Sequence, residues 1–118
     1  MPDVLDGPEL TAKERRRNAR VPGPFDGRWR ATLSVPLRIH DLSIGGCLIQ
    51  SLYEVKPGKR IQLDLELPYE GWISLEAETL YMRTEYGFAV KFVDVPEETT
   101  AVLERVIQRL LTRSPLEE

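Results

Sequence analysis

Ile61-Gln62-Leu63-Asp64-Leu65-Glu66-Leu67 alternates apolar and polar residues without a break. Successive side chains of an extended strand point to opposite faces, so this run lays four aliphatic groups on one face and three polar groups on the other. Period two recurs on both sides of it. Leu33, Val35, Leu37 and Ile39 alternate with Ser34, Pro36, Arg38 and His40. Ile73-Ser74-Leu75-Glu76-Ala77-Glu78 repeats the pattern, and Phe88, Val90 and Phe92 alternate with Ala89 and Lys91. Turn residues separate the runs: Asp26-Gly27, Gly45-Gly46, Pro57-Gly58, Pro68 to Gly71, and Gly87. The pattern predicts strands near 24–30, 35–43, 46–51, 59–67, 72–83 and 86–92. Pro36 has no N–H for a ladder and belongs at a strand edge or in a loop. Short antiparallel strands with regular turns read as a small barrel or sandwich.

The period changes near the C-terminus. Leu103, Val106, Ile107, Leu110 and Leu111 fall on one helical face, which predicts a helix over 96–113 packed on the barrel. Pro96 suits its first turn, Glu97 and Glu98 its positive end, and Arg109 and Arg113 the other end. Ser114-Pro115 stops it.

The chain has 118 residues, 42% of them apolar, enough for one domain with one modest core. We divide it into a flexible leader at 1–12 and a single domain at 13–114, with a mobile basic segment at 13–23 and a barrel at 24–93. No apolar stretch reaches the roughly 20 residues of a membrane span. Met1-Pro2-Asp3-Val4 does not read as a signal peptide, and the lone Cys47 cannot form an internal disulfide. The expected location is cytoplasmic. Net charge is -3 but uneven: residues 13–30 hold seven bases against two acids, and residues 31–118 hold nine against fourteen. An acidic body with one basic segment favours one localised anionic ligand over broad binding to nucleic acid.

Two motifs stand out. Arg16 and Arg20 are spaced by four within Arg15-Arg16-Arg17-Asn18-Ala19-Arg20. Arginine can grip phosphate with two donors, bond the O6 and N7 edge of guanine, or stack on a purine. The second motif is Asp41-x-Ser43-x-x-Gly46, within Asp41-Leu42-Ser43-Ile44-Gly45-Gly46. If the strand continues regularly, Asp41 and Ser43 share a face. Asp41 can accept from guanine N1 and N2 or orient an arginine. Ser43 can donate to an acceptor, and Gly46 permits unusual dihedrals and close approach of a ligand. Each motif alone has a plain structural reading: a solvated basic segment, or a strand-to-turn junction with local hydrogen bonds.

Taken together, in this order and spacing, the motifs resemble those of the PilZ domain, a bacterial receptor for cyclic di-GMP. The resemblance covers about residues 13–112. It implies an all-β fold: a six-stranded antiparallel split barrel with a C-terminal α-helix. It also implies that Arg16 and Arg20 grip the dinucleotide's phosphates and guanines. Asp41, Ser43 and the Gly45-Gly46 pair would then form the barrel side of the site. Arg15 sits at the position that influences ligand number in that family, and its guanidinium would hold a second, intercalated cyclic di-GMP or simply face water.

Other residues read as structural. Trp29 is assigned to the core, though stacking on a base is an alternative, and Trp72 to packing. His40 is assigned to solvent, and Cys47 to a small core position. No His, Cys and carboxylate cluster has metal-ligand spacing, and no poised nucleophile is visible, so we expect neither a cofactor nor catalysis. The expected function is a cyclic di-GMP receptor that signals through an unidentified partner protein. A PilZ-like adaptor that binds no nucleotide is the first alternative. A small barrel binding nucleic acid is the second, opposed by the acidic body.

Overall fold

Six strands and a helix follow one another along the chain: β1 Val21–Arg30, β2 Ser34–Leu42, β3 Gly46–Gln50, β4 Arg60–Leu67, β5 Gly71–Arg83, β6 Gly87–Val93 and α1 Glu97–Leu111. The structure, a computed structural model, describes residues 19–51, 55–83 and 87–112. All neighbouring strands are antiparallel, and the sheet closes on itself in the order β1-β2-β3-β6-β5-β4. Closure removes the free sheet edges that would otherwise template aggregation. The predicted six-stranded barrel with a C-terminal helix is therefore the observed fold.

Period two explains the interior. Ile61, Leu63, Leu65 and Leu67 of β4 are all buried. They meet Phe25, Leu37, Ile39, Ile49, Leu75, Ala77 and Phe88 in one cluster. Burying each such side chain contributes roughly 1.5–3 kcal/mol before chain entropy is set against it. Asp64 lies on the outward face of β4 yet is nearly covered, at 9% exposure. Ser74 Oγ donates to its Oδ1 at 2.7 Å, and Arg30 Nε lies 3.3 Å from its Oδ2. A covered carboxylate needs such partners to stay charged. Pro36 lies inside β2, opposite Arg28 of β1. Among the described residues the ladder of β2 with β3 begins at Arg38↔Gln50, and Pro36 lies outside it.

The expected element bounds shift in places. β1 starts at Val21 rather than residue 24, with Val21 only 2% exposed and paired with Leu42. Residues 21–23 thus belong to the barrel rather than to a mobile segment. The prolines there are absorbed by a register shift between Pro22 and Phe25. The helix runs over Glu97–Leu111, and Pro96 is its N-cap, in an extended conformation, instead of a first-turn residue. Leu103, Val106 and Ile107 are buried as predicted, whereas Leu111, at the end of the helix, is 44% exposed. Arg113 and Ser114-Pro115 lie outside the described residues. Trp72 is not packed in the core: it is 43% exposed, and the Arg28 guanidinium sits 3.9 Å from its ring centroid.

Antiparallel pairing gathers several features at one end of the barrel. Val21 faces Leu42, Gly46 faces Lys91, and Glu76 faces Val93. The start of β1, the β2–β3 turn, the β4–β5 turn and the entry to α1 therefore share that end. The helix is tied to it twice. Arg105 donates to both Glu70 carboxylate oxygens at 3.1 and 3.3 Å, and Arg109 lies 4.6 Å from the Tyr69 ring centroid.

Candidate functional site

The second motif sits where β2 loses its regular period. Leu37 and Ile39 are buried, with Arg38 exposed between them. Strict alternation would send Asp41 inward next. Instead the β2–β3 register shifts between Ile39 and Asp41, so that Ile39 faces Ile49 and Asp41 faces Leu48, with His40 as the extra residue. Such a bulge changes the phase of the strand. Leu42 takes the inward place at 0% exposure, and Asp41 is turned out to the rim with 19% of its side chain exposed. A buried unpaired carboxylate is avoided, and an acid is placed at the barrel end instead.

Among the described residues, two side chains contact the Asp41 carboxylate. Arg20 Nη1 lies 3.4 Å from Oδ1, and His40 Nδ1 lies 3.2 Å from Oδ2. The Arg20 contact is an ion pair without hydrogen-bond alignment: Asp41 Oδ1 is shielded from solvent and has no hydrogen-bond partner among the described residues. That oxygen is an acceptor without a donor, which carries a desolvation cost of about 1–3 kcal/mol, more for a charged group. Arg20 is about half exposed, immediately before β1. Arg15 and Arg16 lie outside the described residues.

Ser43 does not continue the strand. β2 ends at Leu42, and both the N–H of Ser43, at 2.8 Å, and its hydroxyl, at 3.2 Å, donate to the Gly46 carbonyl. The hydroxyl therefore closes the turn locally. The expected shared face of Asp41 and Ser43 is replaced by a bulge followed by a turn. Gly45 is exposed, and its carbonyl accepts from the Phe92 N–H at 2.8 Å. A Cβ on Gly45 would meet nothing within 4 Å. A Cβ on Gly46 would lie 2.2 Å from the Val90 carbonyl oxygen. Close approach of β6 thus requires glycine at position 46, without a positive φ.

Cys47 is fully buried behind this turn. Burial pushes its thiol well up, the Asp41 charge adds to the shift, and Arg20 opposes it. The thiol stays protonated and inert, as a small core residue. Trp29 is partly buried against the core, its ring edge-on to Phe88 at 6.2 Å between centroids.

His40 is the residue that sequence reasoning assigned only to solvent. It is about half exposed as expected, yet it also holds Asp41. The available signal was the phase break itself: an acid on the inward phase followed by Leu42 on the outward phase. Two surface grooves, of about 390 and 410 Å³, lie elsewhere. The first is bordered by Trp29, Arg30, Lys59 and Arg60, and the second by Phe25, Glu66 and Tyr69. Neither takes in Asp41 or Ser43. In the first, Arg30 is paired with Asp64, and Arg60 with Glu76 and Asp94, so its charge is largely balanced. Among the described residues, no group of His, Cys, Asp and Glu has the arrangement of a metal site, and no helix is long and apolar enough to cross a membrane.

The sequence model of the family described as "PilZ domain" matches residues 14–113. No curated protein matches the chain significantly. Three solved structures are similar. YcgR of Escherichia coli in complex with cyclic di-GMP is 24% identical with a TM-score of 0.68, over 83% of this chain and 46% of that one. The Bacillus subtilis inhibitor of motility MotI (DgrA) is 16% identical with a TM-score of 0.72, over 89% and 57%. The PilZ domain of E. coli YcgR with cyclic di-GMP is 19% identical with a TM-score of 0.66, over 82% and 92%. The chain thus spans about half the length of the first two proteins. At these identities the likeness speaks for the fold.

Proposed function

The chain belongs to the PilZ domain family, and from that premise we propose that it is a receptor for cyclic di-GMP that signals through a partner protein. The observation that carries this reading is the Asp41 carboxylate at the barrel end, its Oδ1 beside the Arg20 guanidinium and without a hydrogen-bond donor among the described residues. Guanine offers N1–H and N2–H donors that match such an acceptor. Phosphates offer a better-shaped partner for Arg20 than a misaligned carboxylate contact. Two of the similar structures contain this same dinucleotide.

In the proposed mechanism Arg16 and Arg20 grip the phosphates and guanines, and Arg15 supplies a further guanidinium for a second ligand molecule. Asp41 accepts from a guanine edge. Ser43, Gly45 and Gly46 form the floor, with Ser43 and Gly46 acting through the turn they close. Binding draws the basic residues before β1 onto the barrel end, and the ordered segment presents a new surface to the partner. Charge-assisted hydrogen bonds offset the ordering entropy.

The test is isothermal titration with cyclic di-GMP, cyclic di-AMP and GTP at moderate salt. The proposal expects selective binding of cyclic di-GMP, with one or two molecules per chain. Equal affinity for all three, or no heat with any, sinks it. The second outcome leaves the adaptor reading, in which the domain contacts its partner without nucleotide.

A further inference from the structure

We infer that His40 is a positioning residue of the ligand site, holding the Asp41 carboxylate by Oδ2 so that Oδ1, now beside Arg20, is the oxygen left to accept from the ligand. The inference rests on the reading of Asp41 as a ligand contact. Consecutive residues of a regular strand point to opposite faces and cannot bond side chain to side chain. The bulge removes that restriction. With Ile39 and Leu42 both inside at 0% exposure, His40 and Asp41 are left together on the outer surface. Their contact, Nδ1 to Oδ2 at 3.2 Å, is thus a product of the register shift.

The direction of the bond follows from chemistry. An ionised carboxylate only accepts, so Nδ1 carries the proton. The two carboxylate oxygens then differ: Oδ2 is bonded to His40, and Oδ1 has no hydrogen-bond partner among the described residues. Rotation of the carboxylate would exchange them, and the His40 bond opposes that rotation. The need for it grows on binding. Arg20 leaves Asp41 when it turns to a phosphate, and the carboxylate loses its nearest cation. His40, fixed in the next position of the chain, keeps one oxygen anchored while the other receives the ligand.

The test compares wild type, His40→Ala and His40→Asn in cyclic di-GMP titrations of the full chain. Asparagine carries an amide N–H where histidine carries Nδ1. His40→Ala is expected to weaken binding about five- to tenfold, the upper part of the range for an ordinary intramolecular hydrogen bond. His40→Asn is expected to restore most of it. The ligand-free melting temperature should stay unchanged in both, because the ring is about half exposed. Alanine binding as tightly as wild type, or asparagine as weakly as alanine, overturns the inference. Nitrogen-15 NMR of the ligand-free protein above neutral pH gives an independent reading. The Nδ1–H tautomer supports the inference, and the Nε2–H tautomer overturns it. If wild type binds no dinucleotide, the receptor reading fails separately, and the tautomer still decides whether His40 holds Asp41.

Discussion

The β4–β5 hairpin and the β2–β3 hairpin use the same antiparallel pairing to opposite ends. From Arg60↔Glu78 to Leu67↔Gly71, β4 and β5 pair at every position without a shift. Their inward residues interlock, and their outward residues stand in fixed rows. Between β2 and β3 the described register holds four pairs and slips in the middle, at His40. A regular ladder makes a rigid wall but sends neighbouring side chains to opposite faces. A bulge weakens the ladder locally and places two adjacent polar groups on one surface. In this molecule the wall carries the core, and the irregular hairpin carries the acid, the imidazole and the turn that face Arg20.

Separating the two roles by mutation would sharpen that comparison. The largest expected effect is on the wall: Leu63→Ala should cost about 2–5 kcal/mol of stability, since the side chain is fully buried. Urea unfolding reads that loss, and the protein that remains folded should bind ligand as before. Next comes Gly46→Ala, which forces a methyl against the Val90 carbonyl. A loss of about 1–3 kcal/mol is expected from overpacking. Gly45→Ala, with open space around it, should stay within about 0.5 kcal/mol of wild type. Equal effects at the two glycines would break the account of the turn.

Arg20→Ala should leave the melting temperature almost unmoved while weakening cyclic di-GMP binding by about ten- to a hundredfold, for a charge-assisted contact of roughly 1.5–3 kcal/mol. Arg16→Ala should behave alike. Normal binding by either variant in a titration would remove the arginines from the site.

The smallest effect concerns the tie between α1 and the β4–β5 turn. The hydrogen bond from Arg105 holds the Glu70 carboxyl below its ordinary value of 4.5, and the nearby charges of Arg105 and Arg109 add to this against desolvation. A depressed value in the folded state adds stability that is fully present above 4.5 and is lost as pH falls through the lower folded value. Arg105→Gln should make stability slightly less sensitive to acid in that window. Urea midpoints measured from neutral pH downwards check it, and identical acid profiles would show that the pair contributes nothing.

Most of the wall was legible from sequence because one physical rule, period two, governs it. Ile61 to Leu67 needed only alternation, and α1 needed only the spacing of Leu103, Val106 and Ile107. The proposed site was legible as a set of residue types, Asp41, Ser43 and the glycines, but not as geometry. Alternation predicts faces only while the register is unbroken, and at His40 it breaks. At Gly46 the need for glycine was not legible from alternation, because the crowding comes from β6, a strand some forty residues later in the chain. Val21 to Gly23 were assigned to a mobile segment because Pro22-Gly23-Pro24 breaks a helix and reads as a hinge. That rule gives way where a register shift and a neighbouring strand accommodate them.

The central claim is that the irregular end of the barrel binds the dinucleotide and the regular wall does not. Backbone amide shifts followed by NMR during titration with cyclic di-GMP test it directly. The account predicts large, saturable changes at Arg20, Val21 and His40 to Gly46, with the β4–β5 ladder from Gln62 to Glu76 nearly still. Changes centred instead on the groove at Ala31, Lys59 and Arg60 would contradict it.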